Sequence, residues 1–160
     1  MSSMDITVYT DGLCLNSGRG SRAVGGIGVY FGPYDYRNFS GRLPGKLQAN
    51  QRAELEAIRR ALLIVSDYLV VKGFSHRPRV CVKTDSQYSI NCATVWVQKW
   101  VKNGWLNNKH MRVLNLDLIQ DILVLMRICD GNVVFQYIPG HSKVPGNQAA
   151  HTLATNGARS

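Results

Sequence analysis

Ile6-Thr7-Val8-Tyr9-Thr10-Asp11-Gly12 alternates β-branched and aromatic residues and then stops on a carboxylate and a glycine. That pattern predicts a strand whose last residue delivers an acid into a turn. Asp-Gly after a strand is most often a plain turn. Its weight here comes from a second apolar run, Arg79-Val80-Cys81-Val82-Lys83-Thr84-Asp85-Ser86, which also ends in Thr-Asp and a small residue. Two buried parallel strands with acids at their carboxyl ends set two negative charges side by side, where open α/β sheets bind their ligands. Like charges so placed repel unless a cation lies between them. The two runs therefore point to a scaffold for a divalent metal site.

The rest of the chain supplies a third acid. Gly12 to Ser21 reads as a turn with Arg19 and Arg22 around it, Ala23 to Phe31 as a strand antiparallel to the first, and Tyr36 to Leu43 as a third strand. Asn50 begins the longest helix, running to about Val71, with Ile58, Ala61, Leu62, Val65 and Leu69 on one apolar stripe. Glu54 falls on that stripe, while Glu56, Arg59, Arg60 and Asp67 are expected to face away. The helix dipole accounts for an acid in the first turn but not for its face. A core-facing carboxylate needs a cation or hydrogen-bond donors. Gly73 to Arg79 reads as a linker, and helical spacing resumes at Ser86 and continues to Asn103-Gly104. A further helix is predicted over Leu114 to Ile128 and a fifth strand over Val133 to Ile138. The loop Pro139 to Lys143 leads to a last helix that starts at Pro145 and carries His151. This order predicts an α/β domain built on a mixed sheet, and 160 residues suffice for one domain.

Nineteen Lys and Arg against ten Asp and Glu leave a charge of +9, more than solubility needs, and such an excess favours a polyanion, nucleic acid being the commonest. The excess is localised: Ser86 to Leu116 holds no acid, but does hold Lys99, Lys102, Lys109 and Arg112. Trp96, Trp100 and Trp105 lie among these lysines. Tryptophans so spaced normally bury in a core, whereas rings interleaved with lysines suit a sugar–phosphate backbone. No apolar run is long enough to span a bilayer and the N-terminus lacks a secretory pattern, so an intracellular protein with no membrane partner is expected. Cys81 and Cys129 are expected in the core, and Cys14 as an exposed thiol; no disulfide is expected.

Thr10-Asp11-Gly12, Asn50-Gln51-Arg52-Ala53-Glu54, Thr84-Asp85-Ser86 and Pro139-Gly140-His141-Ser142 followed by Gly146-Asn147 together resemble ribonuclease H, type 1, of cellular organisms. The segments stand in the family's order and cover essentially the whole chain. The resemblance implies an RNase H-like fold, a five-stranded mixed sheet flanked by helices. It also implies a single catalytic domain over residues 1–160, without the small hybrid-binding domain that precedes it in many eukaryotic relatives. The activity implied is cleavage of the RNA strand of RNA–DNA hybrids with two Mg²⁺ ions, Mn²⁺ being a substitute, by a chain expected to be monomeric. By the same resemblance Asp11 bridges both ions, Glu54 and Asp85 complete the ligation, and His141 assists proton transfer or product release. Asn16, Asn50 and Gln51 resemble contacts to RNA 2′-hydroxyls. Trp96, Lys99, Trp100 and Lys102 resemble the basic protrusion that grips DNA, and Asn115 part of a DNA-phosphate pocket.

Two departures stand out. The family's fourth carboxylate falls on His151, so the cluster carries three negative charges, and an imidazole ligand suits softer ions than Mg²⁺. The expectation is an active enzyme with weaker Mg²⁺ affinity and a relative gain with Mn²⁺; the alternative is a His151 that packs or faces solvent. Ala49 stands where a phosphate-binding threonine is usual, and Lys46 where an arginine is. Two competing functions remain: a non-catalytic hybrid-binding domain, and a transposase or resolvase relative on the same fold. The retained Asp11, Glu54 and Asp85 weigh against the first, and Asn50-Gln51 with the tryptophan tract against the second.

Overall fold

The computed structural model describes residues 5–73 and 77–160. β1 (Ile6–Leu15) is the middle strand of a five-stranded mixed sheet ordered β3-β2-β1-β4-β5. β2 (Val24–Tyr30) runs antiparallel beside it from Tyr9↔Tyr30 to Leu15↔Val24. β4 (Val80–Thr84) runs parallel and pairs from Ile6↔Val80 only to Thr10↔Thr84. The first strand thus does not end at Asp11 as predicted; it continues to Leu15 on its pairing with β2. Asp11 lies just past the point where the parallel ladder stops, and Asp85 follows the last residue of β4. β3 (Phe39–Arg42) is shorter than predicted and leaves Tyr36 in solvent, while β5 (Val133–Tyr137) lies parallel to β4 at the far edge.

Helices cover both faces. α1 (Asn50–Lys72) and α4 (Leu116–Ile128) bury Leu55, Ile58, Leu62, Val65, Ile119 and Ile122 against Val8, Val29, Val80 and Val82. α5 (Pro145–Arg159) lies on the other face against β1, β2 and β3. It approaches closely because Gly26 and Gly28 of β2 place no side chain under Ala150, Ala154 and Ala158; a Cβ at either would run into the α5 backbone. Gly12 does the same for α1, since a Cβ there would run into the backbone of Ala53 and Glu54. The first turn of α1 is therefore held against β1, one residue beyond Asp11.

Several expectations need correction. Glu56 does not face away but is buried at 4% exposure, because α1 is wedged between the sheet and α4, so its apolar stripe is not its only covered side. Arg59 Nη1 donates to Glu56 at 3.1 Å. The helix expected from Ser86 to Asn103 is two, α2 (Gln87–Thr94) and α3 (Trp96–Asn103), broken at Val95 where the Thr94 hydroxyl bonds back to the Ile90 carbonyl at 2.7 Å. Cys14 is buried rather than exposed, and Cys81 is half-buried because α5 leaves that part of the sheet open. Part of the Gly73–Arg79 linker lies outside the described residues. Gly12→Ala is expected to lower stability by roughly 1–3 kcal/mol through overpacking, read as a lower melting midpoint with the far-ultraviolet dichroism intact; an unchanged midpoint contradicts the tight β1–α1 approach.

Candidate active site

Asp11 on β1, Glu54 near the start of α1, Asp85 after β4, His141 and His151 all line one cavity of about 490 Å³, together with Ser142, Asn147 and Gln148. Each arrives for a local reason. Asp11 is held at 5% exposure in the middle of a strand, with Oδ1 accepting the Gly12 N–H at 3.0 Å. Glu54 follows from the contact of α1 with Gly12. Asp85 is fixed by a tight turn into α2, in which the Ser86 N–H donates to Thr84 Oγ1 and Ser86 Oγ caps the helix by accepting the Ser89 N–H. His141, in the left-handed conformation at φ 61° and exposed, sits on a loop whose Gly140 lies against the Asp85 carboxylate. His151 projects from α5, with Nδ1 2.9 Å from Asp11 Oδ2.

The electrostatics are those of crowded, partly desolvated acids. Burial first, and then the charge of Asp85, push Asp11 up to about 6, against the opposing effects of His151 and the Gly12 N–H. Glu54 is pushed up to about 7, mainly by burial, with Asp85 and Asp11 adding repulsion and a Ser86 hydrogen bond opposing it. Asp85 is also raised, again chiefly by burial, with His151 and His141 opposing. Among the described residues no three His, Cys, Asp or Glu side chains are arranged, as they stand, to hold a metal ion. The donor set nonetheless fits one: hard carboxylate oxygens around a shared cavity, each made costly to ionise chiefly by burial, are what a divalent cation relieves. Closing them on an ion requires side-chain rotation.

The residues expected to bind nucleic acid lie outside this cavity. Asn16 Nδ2 donates to the Arg22 carbonyl at 3.3 Å, and Asn50 Oδ1 accepts the Cys14 N–H at 2.7 Å, so the first amide ties the end of β1 to the turn before β2 and the second ties the start of α1 to β1. Gln51 and Lys46 are exposed. On α3, Trp96 is 39% exposed, whereas Trp100 and Trp105 pack on the core; with Tyr88 the rings form a ladder with centroids 5.9, 6.0 and 6.2 Å apart. Lys99 and Lys102 are exposed, with Lys99 Nζ donating to Asn108. Asn115 lines a separate cavity of about 400 Å³ with Arg52 and Arg112. Its amide is already engaged, accepting from Arg52 at 3.3 Å and donating to the Tyr88 hydroxyl at 3.2 Å. Arg52 is itself paired with Asp117 at 2.6 Å. Sequence reasoning missed Arg52 here, and Ser142 and Asn147 in the main cavity. Asn147, a buried polar residue next to buried Gly146 on α5, had a signal in its Gly-Asn pair; the Arg52–Asp117 pair had none.

The model of the family described as RNase H matches residues 3–159. The chain belongs to the RNase H family. It is 40% identical over 155 residues to Ribonuclease H1 of Mus musculus, covering 96% of this chain and 50% of that protein. It is 43% identical over 151 residues to Ribonuclease H of Schizosaccharomyces pombe, covering 94% and 52%. The chain spans about half the length of these curated relatives. Among solved structures, LC11-RNase H1 in complex with RNA/DNA hybrid has the same fold, with a TM-score of 0.63 at 21% identity over 97% of each chain. The RNase H family is one of hydrolases that generally depend on divalent metal. No helix among the described residues is long and apolar enough to cross a membrane.

Two outcomes follow from this geometry. With metal chelated, the folded protein holds protons on Asp11 and Glu54 that the unfolded chain releases, so stability present at low pH is lost as pH rises from about 4 through about 6 to 7. Asp11→Asn is expected to raise metal-free stability near pH 8 by on the order of 2 kcal/mol, read by melting across that range; a wild-type profile that rises towards pH 8 contradicts it. Trp96→Ala is expected to leave the melting midpoint nearly unchanged because its ring is 39% exposed, while Trp105→Ala, which removes a ring packed on the core, lowers it; equal losses contradict this difference.

Proposed function

We propose that the chain is an endoribonuclease that hydrolyses the RNA strand of RNA–DNA hybrids, leaving a 5′-phosphate and a 3′-hydroxyl. The observation that carries this reading is the arrival of Asp11, Glu54 and Asp85 at one cavity from β1, α1 and the end of β4. These three side chains would hold Mg²⁺, two ions when substrate is present, with Mn²⁺ as substitute. Ions held there supply charge neutralisation at the scissile phosphate and acidify water. The protein residues position the reaction. Asp11, braced by the Gly12 N–H, is the most buried of the three acids, and Glu54, lining the same cavity, would lie near the RNA 2′-hydroxyl. On this reading His141, exposed on the loop whose Gly140 lies against the Asp85 carboxylate, would assist proton transfer to the departing 3′ oxygen or product release.

The hybrid is held outside the cavity. On this reading Asn16, Asn50 and Gln51 face the RNA strand, and Trp96, Lys99 and Lys102 face the DNA strand across the acid-free surface of α3. The Asn115 cavity would take a DNA phosphate with Arg52 or Arg112 providing the charge and the second Nδ2 hydrogen of Asn115 available as a donor, the first being spent on the Tyr88 hydroxyl. The chain acts as a monomer.

The test is incubation of labelled hybrid, double-stranded RNA and duplex DNA with Mg²⁺ or Mn²⁺. Cutting of the RNA strand of the hybrid alone is expected. Binding without cutting in either ion would favour a non-catalytic binding domain, and cutting of duplex DNA a transposase-like activity. Asp11→Asn is expected to abolish turnover while hybrid binding persists in Ca²⁺; retained turnover removes the assignment of Asp11.

A further inference from the structure

Both oxygens of Asp11 already have a donor: Oδ1 accepts the Gly12 N–H at 3.0 Å, and Oδ2 lies 2.9 Å from His151 Nδ1. An ionised carboxylate has no proton to give, so the ring donates, whether it is neutral with its hydrogen on Nδ1 or an imidazolium. The remaining ring nitrogen, Nε2, is on the side of the ring away from the carboxylate. An ion held at Nε2 is therefore not one that Asp11 Oδ2 also ligates. Oδ2 keeps a second lone pair, but the ring hydrogen aimed at that oxygen sets positive charge beside any cation bound there, so as the ring stands it and an ion oppose each other at Oδ2.

We propose that His151 is a positioning residue that occupies the Asp11 oxygen a second divalent ion needs, so that this ion binds only as the ring swings away. The proposal rests on reading Asp11, Glu54 and Asp85 as the metal cluster, and it names what regulates the second place in it. A buried carboxylate facing another acid requires a donor or a cation, and His151 supplies the donor. The ring has room to leave: the His151 side chain is 60% exposed where α5 borders the cavity, so rotating it leaves the core untouched while the Asp11 side chain stays at 5%. The fourth acid position of this chain then works in the opposite sense to a carboxylate, holding the second cation off rather than ligating it.

The test counts Mn²⁺ bound to the purified chain, by electron paramagnetic resonance and calorimetry at one pH without nucleic acid, in wild type, His151→Ala and His151→Asn. Alanine removes the donor. Asparagine keeps an N–H near the place of Nδ1 and has no counterpart of Nε2. The expected result is a second Mn²⁺ held about fivefold more tightly by the alanine variant, the worth of roughly one net hydrogen bond, with asparagine behaving as wild type. Weaker second-ion binding in both variants makes His151 a ligand through Nε2 and overturns the proposal. Identical binding in all three makes the ring a bystander and overturns it as well. If wild type binds no Mn²⁺ at all, the metal-cluster reading itself fails, and the proposal with it.

Discussion

The desolvation of converging carboxylates, with mutual repulsion added at Asp11 and Glu54, governs this molecule. Asp11 is buried in a central strand and lines one cavity with Asp85 and Glu54, and burial is the largest cause of the raised pKa in all three. An acid cluster of this kind weakens a fold unless it is compensated. The protein offers partial compensation in the Gly12 N–H, the Ser86 hydroxyl and the His151 ring. Structural ion pairs elsewhere are complete by contrast: Arg52–Asp117 and Arg37–Asp35 close at 2.6 and 2.7 Å. Incomplete compensation at one cavity, next to satisfied pairs elsewhere, marks the place where a ligand is needed.

The framework around the cluster serves to bring it together. Parallel pairing of β1 with β4 stops at Thr10↔Thr84, which puts two acids at one level, and continued pairing with β2 keeps Asp11 rigid beyond that point. Gly12 lets α1 close down with Glu54, and Gly26 and Gly28 let α5 close down with His151. The close packing that stabilises the sheet therefore also sets the distances between charges. The acid-free surface of α3 stands apart from this core, joined to it through the ladder Tyr88–Trp96–Trp100–Trp105, in which Tyr88, Trp100 and Trp105 pack on the core and Trp96 is open.

Much of this was legible in the amino-acid sequence. The two Thr-Asp strand ends and the face chosen by Glu54 indicated a carboxylate site before any coordinates, because alternation and 3.6-residue spacing are strong local signals. What failed were inferences that needed a tertiary partner. The Asp-Gly pair reads locally as a turn, yet β2 extends β1 past it. Glu56 reads as a solvent-facing residue, yet α4 covers it. The tie of Asn115 to Arg52 and Tyr88 joins residues far apart in the chain that no spacing rule connects.

The central claim is that three converging acids strain the fold and a divalent cation relieves them. Its most direct measurement is the melting midpoint near pH 8 with and without millimolar Mg²⁺, in wild type and in an Asp11→Asn/Glu54→Gln double variant. The account predicts that Mg²⁺ raises the wild-type midpoint and leaves the double variant unmoved. A wild-type midpoint indifferent to Mg²⁺, or an equal rise in both proteins, would contradict it.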